Sequence, residues 1–206
     1  MKFESNKQNN ASFWITYRDE QIQEEMNIKF LGLETDKLMN GKMHNEFMLP
    51  TLNRACYVIR CLKHYSTTEI LKMVYHAYFH SAMMCGIIFW GNSLDTIKVF
   101  LQQKRIVRTI LWISPQSTWK QHFKTLGILA MPSQYILNLM ELLVHNLAYF
   151  SHNSEIYNKF TSNMKCLHVP QVNLSTFQKD VYYMCIKVFN SLPKWRADLY
   201  KTRTNI

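Results

Sequence analysis

The chain has 206 residues, 48% of them hydrophobic and 14% aromatic, with only 5 Gly and 5 Pro. This composition excludes a disordered, collagenous or low-complexity protein and disfavours turn-rich all-β folds, and the length suffices for a core without disulfides or metals. The net charge of +10 is unevenly spread: residues 1–36 carry −3, residues 37–206 carry +13, and six basic residues stand between Lys98 and Lys124 with no acidic one. Such a field attracts a polyanion.

Residues 12–17 are rich in β-formers and meet the polar turn Arg18-Asp19-Glu20, followed by Gln21-Ile22 and then the run Asn27 to Leu33, which together read as a small antiparallel β piece. From Lys37 the periodicity becomes helical and stays so. Pro50 is expected to start or break a helix rather than lie inside one, with Leu52, Ala55, Ile59 and Leu62 continuing the apolar pattern behind it. The run Ser66-Thr-Thr-Glu69 predicts a capping box with Ser66 as the cap, and Ile70, Leu71, Val74, Tyr75, Ala77 and Tyr78 then form an apolar stripe on a helix ending near Gly86.

After a turn over residues 90–93, a helix is predicted from about Leu94 to Trp112. Spacing at 100° places Val99, Gln103, Ile106, Val107 and Ile110 on one side, with Lys104, Arg105 and Arg108 grouped opposite. A short helix over 118–126 stops at Gly127, where Lys120 and Lys124 add to the basic load. Pro132 opens a long apolar helix over 133–150, and a last helix is predicted from Ser175 to just before Leu192-Pro193.

Chemistry is sparse. Glu34 and Asp36 would share one strand face, but no third carboxylate stands near them for a two-metal site. His76 and His80 have the four-residue spacing of a helical zinc pair without a third ligand, and Cys56, Cys61 and His64 fit no zinc pattern. There is no Gly-rich phosphate loop or nucleophile elbow. Five cysteines without a disulfide-framework spacing and the lack of an apolar leader predict an intracellular protein, cytoplasmic or nuclear, that does not enter a membrane.

Several segments, taken together in order, carry a family resemblance. They are Met1 to Phe3 (MKF), Lys29 to Leu33 (KFLGL) with Asp36, His44, Ala55 to Arg60 (ACYVIR), Val74-Tyr75 through Ser81, Gly86 to Ser93 (GIIFWGNS), Gln103 to Arg105 with Arg108, Phe123 to Leu129 (FKTLGIL), Pro132 to Ile136 (PSQYI), Leu167 to Pro170 (LHVP) and Gln178 to Pro193. In these the chain resembles reverse transcriptases, the RNA-directed DNA polymerases, of non-LTR retrotransposons of the jockey-like class, and the resemblance covers essentially its whole length.

The resemblance implies a mainly α fold. Residues 1–36 would be the C-terminal edge of a palm with its β hairpin, residues 37–130 a thumb-like helical domain and residues 131–206 a post-thumb helical region. Phe30, Leu31 and Gly32 would be primer-grip residues, and Lys104, Arg105, Arg108, Lys120 and Lys124 would meet the backbone of a primer–template without reading its sequence. The family's catalytic aspartates would lie upstream of Met1, so no catalytic residue, no ligand for the family's Mg²⁺ and no small-molecule site is expected, and the fragment alone should be inactive. Departures from the family pattern are Gly41 for a Trp, Pro50 within a helix, Cys85 for an aromatic, and Asp180 and Cys185 for Gly. Decay of an unselected copy would explain them together, as would ordinary divergence. A non-functional remnant is therefore one alternative, and a captured helical interaction module docking a protein through Leu139, Leu142 and Leu143 is another.

Overall fold

The computed structural model describes residues 15–18, 20–21, 25–37, 41–114, 117–157 and 166–193. The expected β segment over 12–14, Ile22, Asp19 and the C-terminal cations beyond Pro193 lie outside these. The chain is mainly helical behind small antiparallel hairpins, and it forms two compact units. The first contains the described residues up to Gly86 together with Ser93–Ile128; the second contains Ile87–Asn92 and the described residues from Leu129 onward. The chain passes between the units at 86/87, 92/93 and 128/129.

In the first unit, β1 (Thr16–Tyr17) pairs with β2 (Glu20–Gln21), and β3 (Asn27–Phe30) pairs with β4 (Leu33–Asp36). The run Asn27 to Leu33 is therefore not one strand. It folds back at Leu31 and Gly32, both at positive φ (47° and 86°), as a two-residue hairpin turn requires. The hairpin is anchored on the helices: Leu33 occupies the space a side chain on Gly86 would need, and the Glu34 amide donates to His44 Nδ1 at 3.3 Å.

Helix α1 (Lys42–Leu62) runs straight through Pro50, contrary to the break expected there. Proline removes one i→i−4 bond and costs about 3 kcal/mol in a helix interior. Leu52 and Ile59, both fully buried, are worth roughly 1.5–3 kcal/mol each on the far side of it, so packing outweighs the local penalty. Gly41 caps α1 at φ 69°, in the left-handed region, with its carbonyl accepting from the Asn45 amide. A Trp there, the family-like residue, would occupy a conformation that costs a side-chain-bearing residue about 1–2 kcal/mol. Gly41→Trp should therefore lower the unfolding free energy read from urea titration by about 1–2 kcal/mol.

Helix α2 (Thr68–Val74) is capped by Thr67, whose Oγ1 accepts from the Ile70 amide at 3.5 Å, one residue later than the Ser66 box predicted. It passes into a π-helical segment, Tyr75–His80, and then α3 (Ser81–Met84). The buried residues are Leu71, Tyr75, Phe79 and Met83, while Ile70, Ala77 and Tyr78 of the expected stripe are exposed. A strict spacing of four drifts by about 40° per step around an α-helix. The wider π turn rotates the other way and keeps all four residues on the same core. Tyr75 is tied across that core by Gln103 Nε2, which donates to its hydroxyl at 2.9 Å, and burial pushes the phenol up to about 12.

Helix α4 (Ile87–Trp90) belongs to the second unit, after which α5 (Thr96–Ile110) and α6 (Trp119–Leu126) complete the first. The α5 core face is the predicted one: Val99, Gln103, Ile106, Val107 and Ile110 are all buried. Three pairings along α1, Asn45 to Ser93, Cys56 to Gln102, and Lys63 to Trp112, advance together in both segments, so α1 and α5 run parallel. Helix α6 ends at Gly127 as expected.

The second unit packs α4, α7 (Met131–His145), α8 (Asn153–Ile156), α9 (Ser175–Gln178) and α10 (Val181–Ser191) around Trp90, Leu139, Leu143, Leu167, Cys185 and Ile186. Pro132 sits in the first turn of α7 as predicted, but the helix stops at His145 and only a 3₁₀ turn, Leu147–Tyr149, follows. The single last helix expected from Ser175 is broken, because Asp180 turns extended and its carboxylate accepts from the Tyr182 amide at 3.3 Å to cap α10. Cys185 is fully buried with its thiol directed to the Leu139 carbonyl at 3.4 Å, and burial raises it to about 11. Both residues, departures from the family pattern, thus have structural work in this chain. Leu139 and Leu143 belong to this core and Leu142 is half-buried, so a partner docking on that face would have to displace the unit's own packing. All five cysteines are free.

Candidate nucleic-acid interface

The six cations between Lys98 and Lys124 do not share one role. Lys98 pairs with Asp95 at 2.7 Å in the first turn of α5. Arg108 is half-buried: its Nη2 donates to the Ser117 carbonyl at 3.2 Å, and its Nε is buried without a hydrogen-bond partner. It ties the end of α5 to the segment leading into α6 and is no simple member of the exposed face predicted for it. Arg105, Lys120 and Lys124 are exposed, and Lys104 is half-buried with its ammonium 4.5 Å from the centre of the Phe100 ring.

An aromatic cluster explains how α6 joins that face. Phe100 meets Trp119 edge-on at 5.2 Å, and Trp119 meets Phe123 at 5.6 Å. Lys120 and Lys124 therefore stand on a helix pinned beside the stretch of α5 that carries Lys104. The predicted cations of α5 and α6 belong to one unit, and no acidic residue interrupts them in sequence.

The parallel arrangement brings further cations that sequence reading missed. From Phe47 to Thr68 the chain holds Arg54, Arg60 and Lys63 and no acidic residue. Cys56 marks where the two basic stretches meet: burial raises its thiol to about 11, and the charges of Arg60 and Arg105 both act to lower it. Lys63 lies with its ammonium 3.7 Å from the centre of the Trp112 ring, and His64 meets the same ring edge-on at 5.1 Å. Parallel helices place both negative dipole ends together, and Arg60, Lys63 and Arg108 near those ends offset them.

The primer-grip-like residues form the tip of the β3–β4 hairpin. Phe30 is 65% and Leu31 83% exposed, and a side chain on Gly32 would meet Cys85 Sγ at 3.3 Å. Beside them Lys29 holds its ammonium 4.7 Å from the centre of the Phe47 ring. The tip is thus an apolar and cationic projection fixed to the start of α1, while Arg60 and Lys63 stand roughly 27 Å farther along that helix at 1.5 Å per residue.

Glu34 and Asp36 share a face of β4, and among the described residues no group of three or more His, Cys, Asp or Glu gathers to hold a metal. His76 and His80 touch, with ring centres 5.1 Å apart, and add no third ligand. Among the described residues no single helix is long and apolar enough to cross a membrane.

Three histidines instead make stability depend on pH. Burial lowers His44, against the pull of the Glu34 charge; burial and Lys72 lower His76; burial and His76 lower His80, all from 6.5. Because the unfolded chain binds these protons more readily, stability is fully present above about pH 6.5 and is lost as pH falls through the lowered folded values. The urea midpoint should drop between about pH 7.5 and about pH 5.5, and less in a His44→Gln variant, which keeps an acceptor for the Glu34 amide but does not titrate. An equal drop in the variant would remove His44 from the account.

No family profile, curated protein or solved structure matches the chain.

Proposed function

We propose that the chain is a nucleic-acid-holding part of a reverse transcriptase of the non-LTR, jockey-like class, binding the sugar–phosphate backbone of a primer–template without performing the polymerisation itself. In this reading the first unit acts as the thumb, the hairpin tip at Phe30, Leu31 and Gly32 approaches the strand, and the protein works inside the cell, in cytoplasm or nucleus. The observation that carries it is the acid-free field of residues 98–124, in which Lys104, Arg105, Lys120 and Lys124 lie on two helices held together by Phe100, Trp119 and Phe123. Phosphate contacts of this kind give affinity and register but no sequence preference.

Titration of a labelled RNA–DNA hybrid at increasing salt tests the reading. Each phosphate neutralised contributes about 0.9 to the slope of log K against log salt, so four or five contacts give a slope of roughly −3.5 to −4.5. Absence of binding at low salt would overturn it. Template-directed nucleotide incorporation by the purified chain would overturn the division between holding and catalysis.

A further inference from the structure

Helix α5 ends in a manner that its sequence does not favour. The Ile113 amide donates to the Arg108 carbonyl at 3.1 Å and the Trp112 amide to the Thr109 carbonyl at 3.4 Å, the bond pair of a Schellman ending. Its left-handed position is Trp112, at φ 58°. Glycine is the usual occupant, and a bulky residue there is a conformational outlier. Burial does not compensate, since 57% of Trp112 is exposed. The backbone strain therefore holds an aromatic ring in solvent, and it does so under the ammonium of Lys63.

We infer that Trp112 is a stacking platform for an unpaired base of a single-stranded nucleic acid, with Lys63 as the group that receives the adjoining phosphate. This rests on the backbone-binding reading above and adds to it a preference for single strands. Every base presents a π face, so stacking on an indole is indifferent to sequence and adds to the phosphate contacts without replacing them. The ammonium of Lys63 now lies over the ring. With the ring 57% exposed the contact is only partly desolvated and therefore weak, so an arriving phosphate draws the ammonium away and leaves the face it covered to the base. His64, edge-on to the same ring, limits how far the indole turns. A double helix keeps its bases stacked on one another and gains nothing here, which is what separates this platform from the α5–α6 face.

The test compares a fluorescein-labelled oligothymidylate of about 20 nucleotides, an abasic strand of the same length and a duplex, each titrated by anisotropy over a range of salt with the wild-type chain, Trp112→Gly and Trp112→Tyr. Base–aromatic stacking is worth about 1–3 kcal/mol, so the wild type should bind oligothymidylate roughly five- to a hundredfold more tightly than the abasic strand. Trp112→Gly should lose this preference, keep its affinity for abasic strand and duplex, keep the same salt slope, and melt no lower than wild type because glycine relaxes the left-handed turn. Trp112→Tyr should retain most of the preference. A preference that survives in Trp112→Gly, or a wild type that binds oligothymidylate and abasic strand equally, overturns the platform while salt-sensitive binding of all three probes upholds the backbone reading. Failure to bind any probe at low salt overturns both.

Discussion

Reversal of Lys104, Arg105, Lys120 and Lys124 to Glu should weaken binding to any duplex by on the order of a hundredfold at low salt and reduce the salt slope by about 3 to 4. The four are chosen because Lys98 is engaged with Asp95 and Arg108 with Ser117. A Glu in place of Arg108 would break the Nη2 bond to the Ser117 carbonyl and set a carboxylate against that oxygen, confusing lost binding with lost folding. Lys104, half-buried, gives up its contact with the Phe100 ring, about 0.5–2 kcal/mol, so the melting temperature should fall by only a few degrees. The matched control reverses Lys194, Arg196, Lys201 and Arg203, the same change in net charge far along the sequence. Loss confined to the first variant locates the contact on α5 and α6. Equal losses would mean that nucleic acid responds to the overall charge of +10 alone.

The largest gain in stability should come from Pro50→Lys. Position 50 is exposed within α1, so a lysine side chain enters solvent and meets no core residue. Its amide restores the missing donor to the Glu46 carbonyl, and Glu46 then stands four residues before a lysine, the favourable order for a helical ion pair. The restored bond and relief of the proline clash together are worth up to about 3 kcal/mol, and each kcal/mol raises the melting temperature by roughly 2–4 °C in a chain of this size. An unchanged melting temperature would show that α1 has relaxed around the proline and no longer bears its cost.

Much of the fold follows from local signals. The buried face of α5 was legible because one turn-by-turn period governs it, and the ends of α6 and the start of α7 were legible from Gly127 and Pro132. The differences arise where distant packing overrides a local preference. Pro50 lies inside α1 because Leu52 and Ile59 are buried beyond it, and the π turn exists because four apolar residues spaced by four must face one core. The sequence period alone favours the stripe that includes Ile70 and Tyr78, and only the partner helices decide between the two. The candidate interface shows the same division. Lys104, Arg105, Lys120 and Lys124 were readable from charge runs, whereas Lys63 meets Trp112, and Arg60 and Arg105 both act on Cys56, only through the parallel register of α1 and α5. Trp112 itself read as the last residue of a helix, and nothing in a one-dimensional pattern marks it as a left-handed turn.

The passage of the chain between its two units bears on how the protein is made. Trp90, fully buried in the second unit, is synthesised well before α7, the helix against which α4 packs. Domains fold as they leave the ribosome at about 5–20 residues per second. For several seconds, then, the turn Ile87–Asn92 has no core to join, and an apolar indole waits in the open while α5 and α6 are still being added. The interval is one in which a chaperone has a site to hold, and no single cut of the gene yields both units whole: a product starting at Leu129 lacks Trp90, and one ending at Gly86 lacks the basic helix.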